Sequence, residues 1–346
     1  MSLNVLVVGG TGPTGIPLVN NFLAAGHRVT IMHSGRHPAT FAGEVNRIIG
    51  DARDDADIQA KLGHTEWDIA VCSYGKLRAL ATTLAKRTKR LVAITGQPVY
   101  RGLSAPTPKG SIPLPVREFA PRQYDAANYT GKVAIGEDQL MEQHGRGDFE
   151  MVILRYPGVF GPRTGTNHEW AVIRRILDKR PFMILPHDGM SYFQRGYVEN
   201  LAWLVYLASI RPEGAGQFFN AGDEQVLPAR RVAQIMIDEL KSPMELIGMP
   251  AELCRGVFPL AEKSSAILDM SKARLLLGYR DRVDVEAATR LTARHLAENP
   301  PDEKDLTPAF YGRFDYPRED RLRTEWQKAM EGMNAMIKAS GPDKTQ

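Results

Sequence analysis

The stretch VVGGTGPTGIPLV at residues 7–19 places three glycines, Gly9, Gly12 and Gly15, between an apolar run and a helical pattern. Because glycine has no Cβ, the chain can turn tightly there and its backbone can approach a pyrophosphate closely. The helix that follows offers free N–H groups and the positive end of its dipole to such an anion. A glycine loop at the first strand-to-helix turn therefore predicts a dinucleotide-binding site.

Short apolar runs alternate with helical patterns over the first half of the chain. Runs this rich in β-branched residues suit strands that are buried on both faces of a parallel sheet. We therefore predict an α/β fold, a Rossmann-like doubly wound parallel sheet with a smaller, mainly helical substrate-binding lobe. The runs are VLVVGG (5–10), RVTIMHS (28–34), VNRIIG (45–50), DIAVCS (68–73), RLVAIT (90–95) and EMVILRY (150–156).

The regular alternation ends near residue 162, which indicates a second lobe interleaved with the first. We predict a dinucleotide-binding domain at 1–161 plus 196–222 and a substrate-binding lobe at 162–195 plus 223–300, with a cleft between them. Residues 301–346 form a C-terminal extension with an amphipathic helix, either docked on the body or used as a dimer contact. The apolar face of that helix is formed by Leu322, Trp326, Met330, Met333 and Ile337.

Composition narrows the class of protein. The chain has 346 residues, 24% of them charged, and a net charge of +4, which is too small to favour a nucleic-acid partner. Cys72 and Cys254 show no ligand spacing, so we predict neither a disulfide framework nor a metal site. No apolar run approaches the roughly 20 residues that span a bilayer. These features predict a cytoplasmic protein.

The end of the second strand bears on the choice of dinucleotide. NAD-binding chains usually carry an acid there to hold the ribose 2′-hydroxyl. The segment IMHSGRHP at residues 31–38 has no acid and instead offers Ser34 and Arg36, and a guanidinium suits a 2′-phosphate. The sequence therefore favours NADP(H), with NAD(H) as the alternative.

Taken together, these segments resemble the extended short-chain dehydrogenase/reductase family, the NAD(P)-dependent epimerase/dehydratase group, over residues 3–298. Besides the glycine loop, the resemblance rests on GDARD (50–54), PVYR (98–101), Lys132, LRYPGVFGP (154–162), YVENLA (197–202) and LGY (277–279). The cofactor-binding residues predicted from the loop and this resemblance are Gly9, Thr11, Gly12, Pro13, Thr14, Gly15, Ser34, Arg36, Asp51, Ala52, Ser73, Tyr74, Gly75, Lys132, Tyr156, Pro157, Gly158 and Phe160.

The catalytic residues that the resemblance implies are displaced in this chain. The family uses a tyrosine as general acid/base, its pKa lowered by a lysine, together with a serine or threonine. Matching Lys132 puts Asn128 at the tyrosine position, while Tyr129 lies beside Lys132 on the same helical face. Gly96 stands at the serine position and is preceded by Thr95. The catalytic candidates are therefore Tyr129, Lys132, Thr95 and Asn128.

The substrate is less constrained than the cofactor. We expect Tyr100, Tyr124, Tyr192, Phe193 and Arg195 near the substrate, with Tyr124 and Tyr100 as alternative proton donors. Sugar-nucleotide members of the family commonly carry an asparagine where this chain has Gly158 and an arginine where it has Phe193. A nucleotide sugar is therefore not predicted as the substrate.

Three functions remain open from the sequence. The leading hypothesis is an NADP(H)-dependent oxidoreductase that acts on a small carbonyl or alcohol, with Tyr129 as proton donor. The second is an epimerase or dehydratase that uses its cofactor transiently. The third is a catalytically degenerate protein that binds nucleotides or RNA, for which the aromatic and basic segment FYGRFDYPR at 310–318 is a candidate. Family analogy adds a homodimer to the expected partners.

Overall fold

Seven parallel strands form the central sheet. Their order across the sheet is Gln217–Asn220, Glu150–Tyr156, Thr88–Gly96, Trp67–Cys72, Asn4–Val8, Arg28–His33 and Asn46–Ile49. The computed structural model describes residues 2–73, 75–103, 112–164, 168–254, 265–302 and 314–339. In chain order, the strands and helices are β1 Asn4–Val8, α1 Gly15–Ala24, β2 Arg28–His33, β3 Asn46–Ile49, α2 Asp55–Leu62, β4 Trp67–Cys72, α3 Leu77–Leu84, β5 Thr88–Gly96, α4 Tyr129–Gly145, β6 Glu150–Tyr156, β7 Gly158–Phe160, α5 His168–Leu177, β8 Phe182–Pro186, β9 Arg195–Tyr197, α6 Val198–Ile210, β10 Gln217–Asn220, α7 Ala229–Glu239, β11 Glu245–Met249, α8 Ser271–Leu277, α9 Val285–Glu298 and α10 Tyr316–Ala339.

The two faces of the sheet are covered by different helices. On β1, Val5 and Val7 pack in a cluster with α1 and α6, whereas Leu6 and Val8 pack with α2, α3 and α4. This division follows from the alternation of side chains along a strand. All six apolar runs form strands of this sheet, so the predicted Rossmann-like doubly wound fold is confirmed.

A second group of elements follows β7. Strands β8 and β11 pair in parallel, and α5, α7 and α9 share a buried cluster that includes Trp170, Met236 and Ala293. Strands β7 and β9 form a separate parallel pair, which joins the segment after β6 to the segment before α6. Helix α8 packs against α6 and β10 of the main sheet. The division into two lobes at the stated boundaries stays a prediction.

Helix α10 has one docked half and one exposed half. Buried Glu319 forms an ion pair with buried Arg175 of α5, and Leu322 and Trp326 pack near β8. Residues 331–339 are all exposed, so the predicted apolar face is only partly covered. The homodimer therefore stays a prediction, as does the cytoplasmic location.

The RNA-stacking segment lies partly outside the described residues. Of its aromatic residues, Phe314 and Tyr316 are described, and both pack against arginines of α5 or of the turn that follows it. None of the helices in the described ranges is long and apolar enough to cross a membrane. The same ranges hold no group of three or more histidine, cysteine or acidic side chains arranged to bind a metal.

Candidate active site

The glycine loop between β1 and α1 forms a cradle that is open on one side. A Cβ on Gly15 would lie 2.7 Å from backbone atoms of Gly9 and Gly10, so close packing within the loop requires glycine there. A Cβ on Gly12 would meet only the Gly9 carbonyl oxygen, at 3.4 Å. Among the residues that the structure describes, no other atom lies within 4 Å of that position, so the space over Gly12 is open there. Thr14, the residue before α1, makes no side-chain capping bond to the helix. This arrangement fits a pyrophosphate at the helix N-terminus.

The ends of β3 and β4 meet beside this loop. The Ser73 hydroxyl donates to the Val8 carbonyl oxygen at 2.7 Å, which ties the end of β4 to β1. Ala52 is buried, and a Cβ on Gly75 would lie 2.4 Å from the Ala52 carbonyl oxygen. The Asp51 carboxylate accepts a bond from the Arg53 N–H at 2.9 Å. The structure thus brings Ala52, Ser73 and Gly75 of the predicted cofactor-binding residues close to the glycine loop, while Tyr74 lies outside the described residues.

The end of β2 carries no acid in the structure either. Its last residue is His33, whose Nδ1 accepts a bond from the Gly35 N–H at 3.2 Å. Burial lowers the pKa of His33, and the nearby Arg47 charge lowers it further. Ser34 and Arg36 follow on an exposed turn. The end of β2 therefore offers the Ser34 hydroxyl and the Arg36 guanidinium, and it has no carboxylate that could bind a ribose hydroxyl.

The end of β6 and the segment after it hold the last four of the predicted cofactor-binding residues. Tyr156, Pro157 and Phe160 are buried, whereas Gly158 is exposed. Burial raises the pKa of the Tyr156 hydroxyl well above its usual range, and the nearby Thr14 side chain only partly opposes this rise. Tyr156 is therefore held neutral beneath the glycine loop, and the exposed backbone at Gly158 is the part that a ligand can reach.

A large cavity lies between α3 and α4 and borders the loop that follows β4. Its volume is about 1050 Å³, and its lining includes Thr95 at the end of β5, Tyr129 and Lys132 on α4, and Gly75 after β4. Three of the four predicted catalytic residues therefore share one cavity. Tyr129 is 78% exposed, so its hydroxyl is accessible to a ligand there.

Asn128 caps the N-terminus of α4. Its Oδ1 accepts bonds from the Gly131 N–H at 2.8 Å and the Thr130 hydroxyl at 2.7 Å. Its Nδ2 donates to Asp125 at 2.9 Å. The structure thus shows Asn128 as the cap of α4, and a catalytic role for it stays a prediction.

A buried ionic network lies behind Thr95. The fully buried Glu137 of α4 accepts bonds from the Thr95 hydroxyl at 2.9 Å and from Arg155 Nε and Nη2 at 3.0 and 2.6 Å. Arg122 adds a further bond to Glu137 at 3.1 Å. Because the Thr95 proton is directed at Glu137, the lone pairs of its oxygen are what the hydroxyl presents to the cavity.

Tyr100 and Tyr124 lie elsewhere. Tyr100 is 1% exposed, donates to Asn220 Oδ1 at 2.5 Å and stacks under Arg155, so it belongs to the buried network. Tyr124 is half exposed beneath the Arg122 guanidinium, and it is not among the described residues that line the α3–α4 cavity. The structure thus places Tyr100 in the core and Tyr124 outside the described lining of that cavity, and their role as alternative proton donors stays a prediction.

Phe193 and Arg195 line a second, small cavity between α5, β8 and α7. Arg195 forms an ion pair with Glu169 of α5 at 2.6 Å and stacks on the Phe160 ring at 4.2 Å. Tyr192 bridges to Pro228 through its backbone and is not among the described residues of that lining. Of the three predicted residues in this segment, two meet at one site.

Sequence reasoning missed Glu137, Arg155 and Glu169. A signal was present for Arg155, because a charge inside the apolar strand run EMVILRY requires a buried partner. Nothing in the sequence identified Glu137 or Glu169 as that kind of partner, since both lie on helices where acids are usually solvated. Their roles depend on which helix faces the strand.

No protein-family model and no curated protein matches the chain. Among solved structures, it is similar to an epimerase from Methanothermobacter thermautotrophicus, with 19% identity, a TM-score of 0.66, and coverage of 86% of this chain and 93% of that one. A UDP-glucose 4-epimerase from Thermotoga maritima, solved with UDP-glucose, gives 16% identity, a TM-score of 0.69, and coverage of 85% and 99%. One from Bifidobacterium longum, in complex with NAD+ and UDP, gives 17% identity, a TM-score of 0.67, and coverage of 86% and 98%.

At these identities the comparison concerns the fold. It confirms the resemblance to the extended dehydrogenase/reductase and epimerase architecture over most of the chain. Function has to be argued from the site, because one fold supports several chemistries.

Proposed function

We propose that the protein is a nicotinamide-dinucleotide-dependent enzyme of the epimerase or dehydratase type, which acts on a small hydroxylated molecule and keeps its cofactor through turnover. The observation that carries this proposal is the shared cavity of Thr95, Tyr129 and Lys132, which borders the cofactor loop at Gly75. The solved structures of similar fold that are named above are epimerases, which favours transient use of the cofactor over a net reduction.

The glycine loop supports the cofactor assignment. The open space over Gly12 and the uncapped start of α1 would hold the pyrophosphate, and Lys132 would meet the nicotinamide ribose. When bound, a nicotinamide dinucleotide supplies hydride acceptance and donation at a substrate carbon. Everything else in the reaction depends on side chains of this chain.

The side chains of the α3–α4 cavity divide the remaining tasks. Thr95 accepts a hydrogen bond from a second substrate hydroxyl next to the reacting one, because its own proton is held by Glu137. Tyr129 carries the accessible hydroxyl that exchanges a proton with the reacting substrate oxygen, and Lys132 lines the same cavity. In this arrangement the site takes up an alcohol and stabilises the carbonyl formed from it.

Cofactor turnover tests the proposal against a net oxidoreductase. With the protein loaded with dinucleotide, a panel of small hydroxylated compounds is screened for isomerised or dehydrated product by mass spectrometry and NMR, while absorbance at 340 nm follows the cofactor. We expect product without reduced cofactor accumulating beyond one equivalent of protein. Continuous consumption or formation of reduced cofactor would instead establish the oxidoreductase.

The proton donor is tested with two matched variants. We expect Tyr129→Phe to reduce turnover by a factor of about 100 or more, since a general acid/base contributes roughly 100- to 10,000-fold. Tyr124→Phe, which removes an equivalent hydroxyl outside the cavity, should leave turnover unchanged. The assignment fails if the two variants behave alike.

We further propose that NADP(H) is the preferred dinucleotide. The proposal is supported by His33, which ends β2 where NAD-binding chains usually carry an acid, and by the exposed Ser34 and Arg36 beside it. Titrations with NADP+ and NAD+ should show tighter binding of NADP+, and Arg36→Ala should weaken NADP+ about tenfold and leave NAD+ unaffected. Equal weakening of both dinucleotides would exclude a 2′-phosphate contact.

A further inference from the structure

The α3–α4 cavity contains two basic side chains that have no acidic partner in the described part of the chain. Among its described lining residues, Lys76, Arg78 and Lys132 are basic and Asp55 is acidic. Asp55 forms an ion pair with Lys76 at 2.8 Å, and no such pair is formed by Arg78 or Lys132, which are both exposed. The cavity therefore carries an uncompensated positive charge that attracts an anionic group of a ligand.

Arg78 is held against α4 inside this cavity. Its Nε donates to Gln139 Oε1 at 3.0 Å, and Gln139 Nε2 donates back to the Arg78 carbonyl oxygen at 3.1 Å. The stem of Arg78 crosses α4 at Gly136, where an added Cβ would lie 3.7 Å from Arg78 Cγ. Gly136 and Gln139 both line the cavity, so the guanidinium lies on its α4 wall. Its two Nη groups have no hydrogen-bond partner within the described ranges.

The residues that hold Arg78 share a face of α4 with the proposed catalytic residues. Tyr129, Lys132, Gly136 and Gln139 are spaced three or four residues apart on this helix, and all four line the cavity. At 1.5 Å per residue, Gly136 lies about 6 Å and Gln139 about 10 Å from Lys132 along the helix axis. A molecule that reacts at Tyr129 can therefore extend to Arg78. This step rests on the proposed function.

The charge of the site determines which anionic group it suits. The planar fork of a guanidinium matches the two oxygens of a carboxylate. A phosphate matches the same fork, but it carries a charge of about −1.5 to −2 at pH 7. The other uncompensated cation, Lys132, is the residue that we assign to the nicotinamide ribose. Arg78 alone can balance one negative charge, which is the charge of a carboxylate.

We infer that Arg78 binds a carboxylate of the substrate, and that the substrate is a hydroxylated carboxylic acid such as a sugar acid. The carboxylate lies about 6–10 Å from Lys132 along α4, a distance that about five to eight carbon–carbon bonds span. The reacting hydroxyl lies at Tyr129, several carbon atoms away from the carboxylate. Arg78 is accordingly a specificity-determining residue, which selects the acid and takes no part in the chemical step.

Matched probes that differ in charge test the substrate class. Calorimetry on the dinucleotide-loaded protein compares D-glucuronate with D-glucuronamide, and D-gluconate with D-gluconamide. We expect at least one acid to bind about tenfold or more tightly than its amide. The inference is overturned if neither acid is preferred over its amide. Glucose 6-phosphate is titrated alongside, and tighter binding of this phosphate than of both acids would also overturn the inference.

Substitution of Arg78 tests the residue itself. Arg78→Gln should reduce the affinity for the preferred acid to about that of its amide and leave the amide affinity unchanged, which also shows that the cavity is intact. Arg78→Lys keeps the charge without the planar fork and should retain part of the preference. The matched control is Arg28→Gln, which removes an exposed guanidinium at the start of β2, on the opposite edge of the sheet. An acid preference that survives Arg78→Gln, or that falls equally in Arg28→Gln, refutes the assignment.

The same titrations separate this inference from the proposed function. If the wild-type protein binds no dinucleotide, the proposed function fails. The probes are then titrated into the unloaded protein, where the comparison of Arg78→Gln with wild type still reports on the acid site. If dinucleotide binds and Arg78→Gln keeps the acid preference, only the inference fails.

Discussion

Replacing Gly12 with alanine should weaken dinucleotide binding roughly tenfold or more without unfolding the protein. The added Cβ would meet only the Gly9 carbonyl oxygen, at 3.4 Å, and Gly12 is not among the glycines with positive φ. Alanine is therefore tolerated by the backbone, and its effect on the free energy of unfolding should stay within about 1 kcal/mol. The methyl group does, however, enter the space that we assign to the pyrophosphate.

The expected loss of affinity follows from the bonds that the methyl group displaces. One hydrogen bond between a backbone N–H and a charged phosphate oxygen contributes about 1.5–3 kcal/mol. Losing one such bond raises the Kd by roughly 10- to 150-fold. If two such bonds at the N-terminus of α1 were lost, the increase in Kd would exceed that range.

The matched control is Gly15→Ala in the same loop. Its Cβ would lie 2.7 Å from backbone atoms of Gly9 and Gly10, so the loop has to shift and the free energy of unfolding should fall by about 1–3 kcal/mol. Both variants are measured by thermal unfolding with and without NADP+. A ligand at 100 times its Kd stabilises by about 2.7 kcal/mol, so the difference between the two scans is readily resolved.

The two variants should differ in the property that they lose: Gly12→Ala affects ligand binding, and Gly15→Ala affects the stability of the unliganded protein. Gly12→Ala should keep the wild-type Tm in the absence of ligand and show a much smaller increase in Tm with NADP+ than the wild type does. Gly15→Ala should have a lower Tm even without ligand. The reasoning is refuted if Gly12→Ala retains the full ligand-induced increase, or if it destabilises the unliganded protein as much as Gly15→Ala does.

Three further predictions concern stability. Glu137→Ala leaves the buried Arg155 charge uncompensated, and urea denaturation should show a loss of about 3–5 kcal/mol, whereas a loss below 1 kcal/mol would mean that water enters the site. Burial, and after it the Asp281 charge, raises the pKa of Asp223 from 3.8 to about 7. Because the folded state then binds this proton more tightly than the unfolded chain does, wild-type stability falls as the pH rises from about 4 to 7. Asp223→Asn should therefore match wild type near pH 4 and exceed it by about 2–4 kcal/mol at pH 8, and a constant difference across this range would contradict the burial argument. On α10, Trp326→Ala should cost about 2–3 kcal/mol because Trp326 packs near β8, while Ile337→Ala in the exposed half should stay within about 0.5 kcal/mol, both measured by thermal unfolding.

The sequence was sufficient for the sheet and for the phosphate loop because both depend on local order. Alternating apolar runs specify buried parallel strands, and the spacing of Gly9, Gly12 and Gly15 specifies a turn followed by a helix. Each of these signals lies within a few residues of the next, so no knowledge of distant contacts is needed. The same locality made Tyr129 and Lys132 recognisable as neighbours on one turn of α4.

The three-dimensional arrangement alone determined what the polar side chains do. Asn128 became a helix cap and Tyr100 a core residue, because the backbone of α4 begins at Tyr129 and because β10 brings Asn220 against Tyr100. Glu137 and Glu169 gained their partners from strands far away in the chain. The partner of a charged side chain depends on which polar groups are buried next to it, and these neighbours are decided only when the helices pack on the sheet.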